Sequence, residues 1–165
     1  MGIGLPTLVE LELAGVVRYT EYSLMIFGHA RIPIMNWMRE QALESLGHAT
    51  QAGEEVTTLG GDVSLGIGEL LGPRPASVDE MMREMLAHER RAVDAYRRLL
   101  AQAEGRNVSL EEFARQMIRT EELGVAEIEK MLRQPGDDRL AAAAAPAGAA
   151  GAVGGDRATA SNERR

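Results

Sequence analysis

Residues 77–104 read SVDEMMREMLAHERRAVDAYRRLLAQAE, and this stretch decides the fold. A Ser77 to Glu80 pair at capping-box spacing opens it, and Gly105 follows it, which is typical of a helix start and a helix stop. Between these signals, apolar side chains recur every three or four residues, which places them on one face of an α-helix. They are Val78, Met82, Met85, Ala92, Tyr96 and Leu99. A charged residue, Glu89, interrupts this face.

The same period occurs in three other parts of the chain, whereas short alternating runs bounded by turn dipeptides are missing from the sequence. The pattern therefore predicts an all-α protein with four long helices. A second capping-box spacing, from Ser109 to Glu112, predicts the start of the last helix. The expected limits of these three helices are Leu5 to Gly28, Pro33 to Leu59 and Ser109 to Arg133.

A long connection separates the second and third predicted helices. Residues 62–76 contain three glycines and two prolines, so they cannot form one regular helix, and they exceed an ordinary helix–helix loop in length. Two helices, a long crossover and two more helices describe the ferritin-like four-helix bundle. We expect this bundle to occupy residues 1–134. Residues 135–165 hold 11 alanines and five glycines, and this composition predicts a disordered tail.

Composition limits the chemistry. The chain has 165 residues, no cysteine and a net charge of −7. Without thiolates, a metal must be held by carboxylates, imidazoles or thioethers. The acidic balance argues against a nucleic-acid partner. The sequence shows neither a signal peptide nor a convincing membrane span, so we expect a soluble cytoplasmic protein without a membrane partner.

Ionisable residues stand on the buried face of each predicted helix. They are Glu12 on the first, His48 with Glu44 four residues earlier on the second, Glu89 on the third and Glu121 on the fourth. Buried carboxylates that converge need a compensating charge, and a bound cation supplies it. The alternative for any one of these residues is an ion pair with an arginine or a place at the edge of the face. The set as a whole favours a metal site inside the bundle.

These residues lie in motifs that are similar to those of bacterioferritins, within the di-iron ferritin-like proteins. The resemblance extends over residues 5–133. It rests on Glu12-Leu13-Ala14 with Tyr19 seven residues on, Glu44-Ser45-Leu46-Gly47-His48-Ala49, Leu86-Ala87-His88-Glu89, and Arg119-Thr120-Glu121-Glu122.

The resemblance implies iron as the bound metal, as one ion or as a di-iron pair, with Fe(II) oxidation at the site and iron storage or detoxification in a shell of many subunits. The implied metal ligands are Glu12, Glu44, His48, Glu89 and Glu121. Among these, Glu121 and Glu44 would bridge two metals. Tyr19 takes the position of a redox-active or hydrogen-bonding tyrosine; the alternative is a structural role for its hydroxyl.

The chain departs from the family pattern at three positions. The fourth helix has Gly124 where the family has a histidine ligand, and the second has Ser45 where the family has a carboxylate. Leu46 replaces the methionine that holds haem in the family, so haem is not expected. The histidine that is missing at Gly124 predicts that one of the two metal positions is weakened, with slower oxidation or a single retained metal as the result.

Two other functions remain open at this stage. One is a structural shell subunit with little catalysis of its own, which co-assembles with a complete ferritin subunit. The other is a small dimeric di-metal oxidase that stores no iron. The leading hypothesis is a homo-oligomeric, ferroxidase-type iron protein.

Overall fold

The computed structural model describes residues 4–70 and 75–133 and contains four α-helices in that part of the chain. They are α1 (Leu5–Met25), α2 (Arg31–Thr58), α3 (Val78–Ala103) and α4 (Val108–Met131). The predicted all-α four-helix architecture, with its long crossover between α2 and α3, is confirmed. The predicted disordered tail, residues 135–165, lies outside the described residues and stays a prediction.

Glycines stand where the helices end. Gly28, Gly60 and Gly105 have φ angles of 87°, 76° and 71°, a left-handed conformation that disfavours side chains with a Cβ. Helix α1 ends at Met25, three residues before Gly28, so its predicted end was slightly late. The ends of α2 and α3 lie within one residue of the predicted limits.

The helix caps agree with the sequence in one case and not in the other. The side chain of Ser77 accepts a hydrogen bond from the backbone N–H of Glu80, as predicted. The predicted cap at Ser109 was wrong, because Asn107 caps α4 by accepting from the backbone N–H of Leu110 at 3.1 Å. Two cap-forming residues lie two positions apart here, and the sequence alone does not say which one leaves the helical conformation.

The helices pack in pairs, α1 with α2 and α3 with α4, and α1 also packs against α3. The buried apolar residues form two clusters. One contains Leu8, Ala52, Leu99 and Met117, and the other contains Tyr22, Met38, Met85 and Ile128, among others. Along each helix, the residues of one cluster precede a buried polar position and those of the other follow it. A polar layer therefore lies between two apolar halves of the bundle.

The crossover is attached to the outside of α1. The backbone N–H of Gly68 donates to the carbonyl oxygen of Glu10 at 2.8 Å, and Arg18 donates to the carbonyl oxygen of Glu69 at 3.0 Å. The hydroxyl of Ser64 donates to the carboxylate of Glu10. Within residues 4–70 and 75–133, the helices all lack the length of apolar sequence that would span a membrane.

Candidate metal centre

Each of the four helices contributes one buried carboxyl or imidazole to the polar layer. Glu12, His48, Glu89 and Glu121 have 2%, 8%, 7% and 3% of their surface exposed. They reach the interior because each takes a core position in a 3.6-residue pattern that is otherwise apolar. Charged side chains are almost never buried to this extent unless they are paired.

Three of these side chains converge on one point. The Nδ1 atom of His48 lies 2.7 Å from Oε1 of Glu121 and 3.8 Å from Oε2 of Glu12. One donor atom from each residue lies within 4.8 Å of the other two. Donor atoms held at about 2.1 Å from a single cation are about 3 to 4 Å from one another. The separation of His48 from Glu12 lies in this range, whereas the 2.7 Å between His48 and Glu121 is slightly shorter, so a small shift of one side chain would let the triad hold one metal ion.

The shortest contact of the triad is not a hydrogen bond. Although Nδ1 of His48 is close to Oε1 of Glu121, the two atoms are not aligned as donor and acceptor, and Oε1 is buried without a hydrogen-bond partner among residues 4–70 and 75–133. Buried polar atoms are normally satisfied, so such an exception calls for an explanation. A cation between the imidazole and the two carboxylates would satisfy this oxygen.

Glu89 occupies a different position in the layer. Its carboxyl accepts a hydrogen bond from the hydroxyl of Tyr19 and lies next to the carboxyl of Glu121, whose negative charge adds to the effect of burial in raising the pKa of Glu89. Glu89 thus lies beside the triad and contacts it through Glu121.

Tyr96 belongs to this layer, although its sequence position indicated only a core residue. Its hydroxyl donates to Oε1 of Glu12 at 2.8 Å. A buried tyrosine hydroxyl needs a polar partner, and Tyr96 lies seven residues after Glu89 on the same face. The seven-residue spacing from Glu89 to Tyr96 is the sequence signal from which a contact between Tyr96 and the polar layer could have been expected.

Burial dominates the electrostatics of the layer. Loss of solvation raises the pKa of Glu12 to about 7, although His48 and Tyr96 oppose this shift. The same cause, strengthened by the charge of Glu12, raises the pKa of Glu121 to about 8. Burial and the contact with Glu121 also raise the pKa of Glu89. The three carboxyls therefore resist being charged together unless a positive charge joins them.

Glu44 lies at the rim of the layer. Its side chain is 43% exposed, and Oε1 is 4.0 Å from Nε2 of His48. The other carboxylate oxygen accepts from the side-chain amide of Gln41 at 3.1 Å. The structure thus brings Glu44 near the second nitrogen of the imidazole, but apart from the triad of Glu12, His48 and Glu121. A helix residue one position before the family's carboxylate is rotated by about 100°, which accounts for this exposure.

The two positions that depart from the family pattern both face the layer. A Cβ atom added to Gly124 would lie 3.9 Å from Oε2 of Glu89, so this position points toward the site. Ser45 is buried, and its hydroxyl lies beside Gly15 of α1. Neither residue supplies a donor that could replace the carboxylate or the imidazole of the family.

A small cavity of about 10 Å³ adjoins the triad, which is near the lower limit for holding one water molecule. His48, Glu89 and Glu121 form its inner wall, while the partly exposed Gln41, Glu44 and Gly124 lie toward the surface. Glu12 does not line the cavity. The triad is therefore closed on the side of α1 and accessible between α2 and α4.

Comparisons with known proteins agree with the four-helix fold. A family model described as a ferritin-like domain matches residues 4–135. The structure is similar to a solved structure described as ferritin like, diiron-carboxylate proteins from Bacillus anthracis str. Ames, with a TM-score of 0.69 and 22% identity. That match covers 78% of this chain and 95% of the other. The search of curated proteins found no match. Because the family model spans most of its length, the chain belongs to the family of proteins with a ferritin-like domain.

Proposed function

We propose that this protein binds iron at the Glu12, His48 and Glu121 triad and oxidises Fe(II), in the manner of a bacterioferritin. The observation that carries this proposal is the convergence of two carboxylates and one imidazole, from three helices, within 4.8 Å of one another. The bacterioferritin-like motifs favour iron over other divalent metals, and carboxylates with imidazole are donors that iron accepts. Storage or detoxification in a cytoplasmic shell is the wider function to which this step would contribute.

The residues present fit a cation. Among the described residues, the buried Oε1 atom of Glu121 has no hydrogen-bond partner, and burial raises the pKa of Glu12 and of Glu121, so a cation beside these two carboxyls would be favourable. Iron would be the substrate here, and it would give an electron to dioxygen or peroxide while the negative ligands favour the ferric ion. A bound cation would lower the pKa of both carboxyls in the triad, so metal binding would release protons.

The surrounding residues have separable roles in this proposal. Tyr96 orients Glu12 through the hydrogen bond to Oε1. Tyr19 orients Glu89, which in turn contacts Glu121, so Tyr19 is a positioning residue or a redox partner of the site. Glu44 lies at the rim of the polar layer, next to Nε2 of His48, where its carboxylate would bind a metal ion.

Anaerobic titration with Fe(II), followed by addition of oxygen, tests this proposal. We expect the wild-type protein to bind Fe(II) in proportion to its chains and to develop ferric absorbance faster than iron in buffer. Glu121→Gln should lose tight binding, because an amide lacks the negative charge of the ligand. Glu127→Gln is the matched control, since it makes the same change at an exposed position of α4. Equal Fe(II) binding by both variants would contradict the proposal.

A second function is favoured by the departures at Gly124 and Ser45 and by the exposure of Glu44. With these three positions unable to complete a two-metal site, the chain could serve as a structural subunit with little catalysis, assembled with a complete ferritin subunit. In that case the purified protein would bind metal yet oxidise iron no faster than buffer. Addition of a complete subunit would then restore oxidation in mixed particles.

Self-assembly is part of the proposal. The outer face of α2 exposes Leu43 and Leu46, and the crossover exposes Val63, Leu65 and Ile67. Apolar side chains grouped at a surface favour contact with another chain. Light scattering before and after iron loading separates a storage shell from a small dimeric di-metal oxidase, because only the shell grows in mass with many irons per chain.

A further inference from the structure

We propose that copies of this chain join head to tail, and that Phe27, at the corner between α1 and α2 of one copy, docks into an apolar groove toward the other end of the same helix pair in the next copy. This contact rests on the self-assembly that belongs to the proposed function, and it names the two surfaces that meet. It does not depend on the metal.

The corner, residues 24–32, presents apolar side chains to solvent. Leu24, Phe27 and Ile32 are 60%, 81% and 60% exposed. Phe27 lies in the turn between the two helices. Removing an aromatic ring and two aliphatic side chains from water is favourable, and apolar side chains grouped at a surface favour contact with another molecule. The corner is therefore an apolar surface without a partner among the described residues.

The groove that would receive Phe27 lies between α1, α2 and the first residues of the crossover, and its volume is about 290 Å³. Its wall also contains the carboxylate of Glu54. The rest of the wall is mostly apolar and includes Leu13, Leu46, Ala49 and Val63. Aromatic side chains that fill pockets provide much of the binding energy of protein interfaces. The ring of Phe27 from another chain therefore fits this groove in size and in polarity.

The two surfaces carry opposite charge. Residues 22–39, which include the corner, hold two arginines, one histidine and no acidic residue. Residues 54–70, which run from the groove along the crossover, hold four acidic residues and neither lysine nor arginine. Four of these charged side chains form no ion pair within residues 4–70 and 75–133, namely Arg31, Arg39, Glu54 and Asp62. Complementary charge favours contact between the basic surface of one chain and the acidic surface of another.

The corner and the groove are too far apart to meet within one chain. Leu13 and Leu46 are the groove residues nearest to the corner along their helices, and they lie about 18 Å and about 22 Å from it along the helix axes. Phe27 therefore has to enter the groove of a different copy. Because the two surfaces differ, the contact is heterologous, and its repetition gives a closed ring or a filament.

Sedimentation velocity of the full-length protein, over a range of protein concentrations, measures the contact. Phe27→Ala should raise the concentration at which half of the chains are assembled by about tenfold or more, because the ring that fills the groove is lost. Leu123→Ala is the matched control, since it truncates a 56% exposed apolar side chain of α4, apart from both surfaces. The control should assemble as the wild type does.

Charge reversal tests the pairing of the two surfaces. One variant carries Arg31→Glu with Arg39→Glu, and the other carries Glu54→Lys with Asp62→Lys. Each variant alone should assemble weakly, because like charges then meet. An equimolar mixture should assemble again, since each corner then meets a groove of opposite charge. Recovery in the mixture also shows that both variants are folded.

Two results overturn the inference and leave self-assembly through other surfaces standing: wild-type assembly of Phe27→Ala, or a mixture that assembles no better than its components. A wild type that stays monomeric overturns the self-assembly as well, and binding of its corner to vesicles of anionic phospholipid would then identify a membrane as the partner. Fe(II) binding per chain should be equal in all these variants, so the metal proposal is tested separately.

Discussion

At the scale of single residues, the buried carboxyls determine how the metal-free protein responds to pH. Glu12 and Glu121 have pKa values of about 7 and 8 in the folded chain, above the ordinary value of 4.5. Between pH 4.5 and pH 8, the folded state keeps protons on these two carboxyls that the unfolded chain has released. Their contribution to stability is therefore complete below pH 4.5 and is lost as the pH rises to 8.

At lower pH, His88 has the opposite effect on how the stability of the folded chain depends on pH. It is fully buried, and burial together with Arg18 and Arg91 lowers its pKa to about 3. Between pH 6.5 and 3 the unfolded chain gains a proton at this residue that the folded chain refuses, so acid destabilises the fold there. Above pH 6.5 only the remaining half of this proton is lost from the unfolded chain, which raises the stability by about 0.4 kcal/mol, so the carboxyls dominate the slope there.

We therefore predict that the free energy of unfolding of the chelator-treated protein falls by about 1 to 2 kcal/mol between pH 6.5 and pH 8. Urea unfolding at the two pH values measures it. The Glu12→Gln and Glu121→Gln double variant should show a much smaller fall, because glutamine does not titrate. A wild-type stability that rises over this interval would show that the carboxyls are already charged in the folded state.

Sequence reasoning at this scale identified the four buried carboxyl and imidazole residues of the polar layer but not their exact roles. Glu12, Glu89 and Glu121 stand at core positions of a helical period, which is visible in the sequence. The sequence also placed Glu44 next to His48, but the exposure of Glu44 depends on the rotation of α2 in the bundle. The separation of Glu89 from the triad depends on rotamers that packing with Tyr19 decides.

At the scale of elements, the crossover depends on close approach to α1. A Cβ atom on Gly68 would lie 2.9 Å from the carbonyl oxygen of Glu10, which is backbone and cannot turn aside. We predict that Gly68→Ala lowers the free energy of unfolding by about 1 to 3 kcal/mol, as overpacking does. Thermal unfolding followed by circular dichroism measures this change.

Gly53→Ala provides the comparison for the crossover variant. Gly53 lies inside α2, and an added Cβ would meet no atom within 4 Å in the part of the chain that the structure describes. Alanine is the better helix former by about 1 kcal/mol, so this variant should be more stable than the wild type. If both variants shift stability in the same direction, the close contact between the crossover and Glu10 is not important for the fold.

Element limits followed well from the sequence because they depend on local chemistry. Glycines with left-handed backbone stand near the ends of α1, α2 and α3, and Ser77 caps α3 as its spacing predicts. The cap of α4 was misassigned by two residues, because Asn107 and Ser109 are both good caps. The path of the crossover over α1 depends on contacts between distant residues, such as Arg18 with Glu69, and could not be read locally.

At the scale of the whole molecule, a bound metal would join three helices that meet at one layer between two apolar clusters. A ligand that binds only the folded state stabilises it by about 2.7 kcal/mol at a concentration 100 times its Kd. We predict a stabilisation of this size by Co(II) for the wild type and for Glu127→Gln. Co(II) should stabilise the Glu121→Gln variant little. Equal stabilisation of the wild type and both variants would show that the metal binds outside the triad.

The central claim is that acidic and imidazole side chains from separate helices share one cation. Anomalous diffraction at the iron absorption edge, from crystals equilibrated with Fe(II) without oxygen, tests it most directly. The account predicts one strong peak per chain, within bonding distance of Glu12, His48 and Glu121. Anomalous density only at exposed carboxylates, or no density at the triad under saturating iron, would contradict it.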